Sequence, residues 1–144
     1  RIGRKVLKVL RALEAKVYYY DKTYSTISLI KMFKTCDIIS IHIPLDGNIN
    51  FINNSHFKHL KENSILINTS RGNIINEKQL YNFTTKKKFI YITDVIGEFL
   101  ESKFNQKKKL QNIFYSKHVA GLTRESVEKT DLRVISKFLK IINL

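Results

Sequence analysis

The stretch INTSRGNIINEKQL, residues 67–80, joins an apolar run to a serine-arginine-glycine turn and then to a capped segment. Ser64 to Asn68 reads as an apolar strand, and Asn76 can cap a helix that runs to about Phe83. Between them Arg71 puts a permanently charged guanidinium on a turn marked by Gly72, at the place where the strand ends.

Working outward, the same alternation recurs. Arg4 to Leu13 carries Val6, Leu7, Val9, Leu10 and Leu13 as a helical stripe, and Val17 to Tyr20 is a β-prone run closed by Asp21. Ser25 is expected to cap a helix from about Thr26 to Phe33, after which Asp37 leads into a strand over Ile38 to Ile43 that Pro44 stops. A short helix opens at Asn54 or Ser55 and reaches about Leu60. Beyond the opening stretch, Phe89 to Thr93 is a strand ending at Asp94, and Ile113 to Tyr115 is the last strand. Thr123 caps a long helix toward Leu139. The order α-β-α-β-α-β-α-β-β-α predicts an α/β fold with a doubly wound parallel sheet, in one domain over residues 1–144.

In such a sheet, ligands bind at the carboxyl ends of the strands. Asp21, Pro44, Arg71, Asp94 and His118 all fall just past the ends of proposed strands, so one crevice can collect them. At the amino terminus, Arg1-Ile2-Gly3 precedes a helix and Asp21 follows the next β-prone run. A glycine there leaves helix amides free for a pyrophosphate, and an acid there accepts the hydroxyls of a ribose. Only the back half of a G-x-G-x-x-G pattern is present, so this signal is weak by itself.

Composition narrows the alternatives. The chain has 144 residues, 43% of them hydrophobic, enough for one domain with a core. No run is long enough to span a membrane, and the basic start RIGRKVLKVLRAL is unlike a signal peptide, so a soluble, cytoplasmic protein is expected. One cysteine, Cys36, and four scattered histidines offer no metal cluster. The net charge of +14 raises nucleic acid as a partner. The lysines, however, cluster in solvated connections such as 86–88 and 107–109 without interleaved aromatics, so a charged solvated surface is the better reading.

The pieces RIG with YYYD, DIISIHIPL, ILINTSRGNIINEKQL, ITDV and SKHVAG, in that order, resemble the D-isomer-specific 2-hydroxyacid dehydrogenases and cover nearly the whole chain. The resemblance implies a Rossmann-like NAD-binding domain, hydride transfer between nicotinamide and a small D-2-hydroxy or 2-keto acid, and a homodimer when full length. It implies cofactor contacts at Arg1, Ile2, Gly3, Asp21, Ile43, Pro44, Thr69, Ser70 and Asp94. Arg71 would bind the substrate carboxylate, for which a bidentate guanidinium is suited, with Gly72 letting the backbone turn beneath it. His118 would be the acid/base; His42, inside a strand, and His56 and His59, on an exposed helix, have no comparable claim.

In the family a glutamate partners that histidine, five residues after the aspartate matched by Asp94. Here Phe99 stands at that offset and Glu98 one residue early. Either the loop reroutes and presents Glu98, or the histidine has lost its partner, which favours a catalytically impaired dinucleotide-binding domain acting as sensor or interaction module. Glu101 is a weaker substitute. The family also has a substrate domain and a first central strand that these residues do not supply. The expectation is therefore a fragment of a longer protein or a decayed gene product, inactive alone.

Overall fold

The computed structural model describes residues 2–106, 110, 112–119 and 123–141. Short β-branched runs form four strands, β1 (Ile38–Ile41), β2 (Ile65–Asn68), β3 (Ile90–Thr93) and β4 (Ile113–Tyr115). They make one parallel sheet in the order β1-β2-β3-β4. Ile39, Leu66, Tyr91 and Ile113 lie in register across it, as do Ile41, Asn68 and Thr93. These residues are buried, while Ile38, Ile92 and Phe114 on the other face are exposed.

The helices are α1 (Ile2–Ala12), α2 (Leu29–Thr35), α3 (Asn54–Phe57), α4 (Glu77–Thr84), α5 (Glu98–Asn105) and α6 (Arg124–Ile141), with a 3-10 turn at Gly72–Ile74. Each crossover steps the same way along the sheet, and right-handed connections then set α3, α4 and α5 on one face. Phe33, Phe57, Leu80 and Leu100 from successive helices join Leu66 and Tyr91 in the core. Among the described residues, no helix is long and apolar enough to cross a membrane.

The α/β class and the parallel sheet stand as the sequence predicts, and four expectations are corrected. Val17 to Tyr20 forms no strand: the Tyr19 amide bonds to the Thr26 hydroxyl at 3.0 Å, and its carbonyl accepts the Thr26 N–H at 3.0 Å. A β-prone run without a neighbouring edge turns to local partners. Ser25 is engaged with the backbone of Asp21, so α2 starts later, under a cap from Ser28 to the Lys31 N–H at 3.3 Å. The helix near residue 54 ends at Phe57, and its cap is Asn53. Finally, α5 interrupts a stretch expected to be irregular, because a carboxylate on α4, that of Glu77, bonds to its first turn.

Candidate functional site

The turn after β2 is built from beneath. Asn68 is fully buried; its Oδ1 accepts the Ser70 N–H at 3.0 Å and its Nδ2 donates to the Arg71 carbonyl at 2.9 Å. The same amide lies 3.4 Å from the Tyr91 hydroxyl, whose pKa burial pushes up to about 12, so the phenol stays neutral. Ser70 ties the turn to the neighbouring strand by donating to the Ile41 carbonyl at 2.8 Å. The backbone of Arg71 is thus fixed while its side chain is exposed, one Nη1 donating to the Ser70 carbonyl at 2.6 Å.

Gly72 is needed for a reason other than a turn. Its backbone is not in the left-handed region, but a Cβ there would overlap the Ile96 carbonyl carbon and stand 2.5 Å from the Gly97 nitrogen. The Arg71 turn therefore lies directly on the segment that follows Asp94. Asp94 itself carries a buried Oδ1 without a hydrogen-bond partner among the described residues. It lines, with Thr69, Thr93, Phe114 and Ser116, a crevice of about 470 Å³ at the carboxyl ends of β3 and β4.

His118 leaves β4 on a tight turn, its N–H donating to the Ser116 carbonyl at 2.7 Å, and its φ of 51° lies in the left-handed region. A non-glycine residue held there costs on the order of 1 kcal/mol, a strain that collects at functional sites. The Ser116 N–H bonds to the Thr93 carbonyl at 3.0 Å, which anchors this exit beside Asp94.

Glu98 is the first residue of α5 and is exposed, as is His118, and the two form no ion pair. Phe99 meets the Tyr81 ring edge-on at 5.8 Å, with the Lys103 ammonium 5.2 Å above its own centroid. Its ring therefore packs on α4 and is not part of the crevice lining.

At the opposite edge of the sheet, Gly3 lies in the first turn of α1, where a Cβ would stand 3.3 Å from that of His42. The glycine lets α1 start close against the end of β1. Ile2 opens the same helix, and Arg1 lies outside the described residues. Ile43 is half-buried at the core margin, and the Pro44 carbonyl accepts the Asn48 amide at 3.0 Å. Asp21 sits in an exposed turn, its Oδ1 accepting the Thr23 N–H at 3.1 Å; no described contact links it to the crevice.

One histidine stands elsewhere than expected. His42 is past the end of β1 and not inside it, with its Nε2 2.9 Å from the Ser40 hydroxyl; partial burial holds its pKa below the ordinary value. Its position beside Gly3 becomes visible only once the helix and strand are packed. His56 is half-buried against Phe33 and Phe51 and closes the capping box of α3, a structural duty.

A buried acceptor at Asp94, without a partner among the described residues, suits a dinucleotide, which offers an amide donor at one end. Comparison with known proteins points the same way. The family described as D-isomer specific 2-hydroxyacid dehydrogenase, NAD binding domain, matches residues 1–120. YoaD, a Bacillus subtilis protein classed with the 2-hydroxyacid dehydrogenases, is 32% identical over 96% of this chain and 43% of its own length. The NAD+-bound 3-phosphoglycerate dehydrogenase of Entamoeba histolytica superposes with a TM-score of 0.74 at 27% identity, over 87% of this chain and 43% of that one. The D-lactate dehydrogenase of Aquifex aeolicus, solved with NAD and lactic acid, gives 0.76 at 25% identity, over 96% and 50%. The chain thus spans half or less of the length of these relatives. It belongs to the NAD-binding-domain family of the D-isomer-specific 2-hydroxyacid dehydrogenases.

Proposed function

We propose that this chain is the dinucleotide-binding part of an NAD-dependent oxidoreductase that interconverts a small D-2-hydroxy acid and its 2-keto acid. The observation that carries the reading is the buried Asp94 Oδ1, without a partner among the described residues, in a segment pressed against the Arg71 turn. NADH, when bound, supplies a hydride to the keto carbon. Arg71 holds the substrate carboxylate with its two-pronged donor face, and Asn68 and Ser70 keep that arginine's backbone from drifting. His118 gives a proton to the developing alkoxide and takes it back in the reverse direction. Thr69 and Asp94 line the crevice on the cofactor's side. Loss of NADH absorbance that depends on an added 2-keto acid, measured on the full-length protein, tests the reading, and its absence there across small keto acids would reject it.

Arg71→Lys keeps the charge but loses the bidentate geometry. The KM for the keto acid is expected to rise roughly tenfold or more, with NADH affinity little changed; an unchanged KM would place carboxylate binding elsewhere. Asp21 repels a 2′-phosphate and accepts ribose hydroxyls, so NADH is expected to bind more tightly than NADPH in fluorescence titrations, with Lys16 and Lys22 reducing the margin.

A second reading has its own support. Glu98 and His118 are both exposed and unpaired with each other, which fits a domain that binds the dinucleotide with little turnover. Tight NADH binding without keto-acid-dependent oxidation would favour it. A homodimer, as the family resemblance implies for the full-length protein, is checked by light scattering.

A further inference from the structure

Glu77, at the start of α4, is buried to 6% exposure, yet its carboxylate serves another helix. Oε1 accepts the Gly97 N–H at 2.6 Å and Oε2 the Leu100 N–H at 3.0 Å. Those amides belong to the cap residue and first turn of α5, groups that a helix leaves without internal partners. A serine or aspartate at the cap position would normally satisfy the Leu100 amide. Here that position is glycine, and a Cβ on it would overlap Asn73 Oδ1 and come within 3.1 Å of Glu77 Oε2. The cap is supplied across space, from a neighbouring helix.

This arrangement has a geometric effect. The Arg71 turn leads directly into α4, and the Asp94 segment leads directly into α5. One carboxylate bonded to the start of both helices, together with Gly72 seated on Ile96 and Gly97, sets the separation of the two walls. Resting on the dehydrogenase reading, we propose that Glu77 is a positioning residue: by holding the Gly97 and Leu100 amides it fixes where Asp94 and Glu98 stand relative to Arg71. Burial pushes the Glu77 carboxyl above its ordinary pKa, the bonds from Gly97 and Leu100 pull it back, and Glu101 opposite raises it further.

Glu77→Gln keeps the size of the side chain, but one of its ends becomes a donor facing a donor. Exchange of the Gly97 and Leu100 amides, read by NMR, is expected to quicken by about tenfold while Leu66 and Tyr91 in the sheet keep their rates. In the active enzyme kcat is expected to fall about tenfold with the keto-acid KM within about twofold, since Arg71 itself is untouched. Unchanged exchange at Gly97 and Leu100, equal quickening of all amides, or wild-type kcat despite faster local exchange would each overturn the proposal. If the variant does not fold, the unaltered chain still decides. The Gly97 and Leu100 amide resonances are expected to move together through one acid titration above the ordinary glutamate range, and independent movement would overturn the role. A wild-type enzyme without turnover would count against the dehydrogenase reading, whereas exchange and titration bear on Glu77 alone.

Discussion

Gly72→Ala is expected to destabilise the chain by about 3 kcal/mol, at the upper end of what overpacking costs. The added methyl would overlap the Ile96 carbonyl carbon, with the Gly97 nitrogen at 2.5 Å and the Ile96 oxygen at 2.8 Å. All three are backbone atoms, so no side-chain rotamer can relieve the clash; the Arg71 turn or the start of α5 must move. Gly47 provides the contrast. Its φ is +65° but nothing lies within 4 Å of the position its Cβ would take. Gly47→Ala should therefore cost only about 1 kcal/mol of backbone strain. Urea midpoints of the two variants measure the difference, and equal midpoints would mean that the close approach of Gly72 is not energetically significant.

His118→Asn should lower kcat by roughly 10²- to 10⁴-fold, the range of a positioned general acid. Asparagine is the informative replacement because it tolerates the left-handed backbone that His118 adopts, at φ 51°, while it cannot exchange a proton. The unfolding midpoint and NADH affinity should then stay near wild type, which separates lost chemistry from lost structure. A kcat within a few fold of wild type would show that another group or water delivers the proton.

Local signals were legible in the sequence and remote ones were not. Asn76 accepts the Gln79 N–H at 3.1 Å and Thr123 the Ser126 N–H at 3.2 Å, caps that can be read from a few neighbouring letters. The strand at Ile113–Tyr115 formed as read, and the strands ending at Asn68 and Thr93 stop where the polar residues stop them. Val17 to Tyr20 misled because a strand requires a partner, which its composition does not reveal. The helix α5 was missed because its cap, Glu77, comes from another helix and the cap position itself is a glycine. Of the residues expected at strand ends, Thr69 and Asp94 line the crevice, whereas Asp21 follows no strand and sits in an exposed turn. What was hidden is the layer beneath the candidate site: Asn68 holding the Arg71 carbonyl, Gly72 against Ile96, and His42 beside Gly3. These are contacts between segments, set by how strands stack and not by any one run of residues.

The strand order has a consequence for how the chain folds. Each strand pairs with the next one in sequence, and the paired residues are spaced by similar intervals, about 25 residues each. Loop-closure entropy is therefore nearly the same at every step, and among the described strands no pairing must wait for a distant one. The sheet can grow by addition from any adjacent pair, with each new helix covering the strand just added. Parallel sheets fold slowly when their central strands come from far apart; this succession of similar closures predicts a rate set by the first strand–helix–strand unit to close, nearly indifferent to which unit that is.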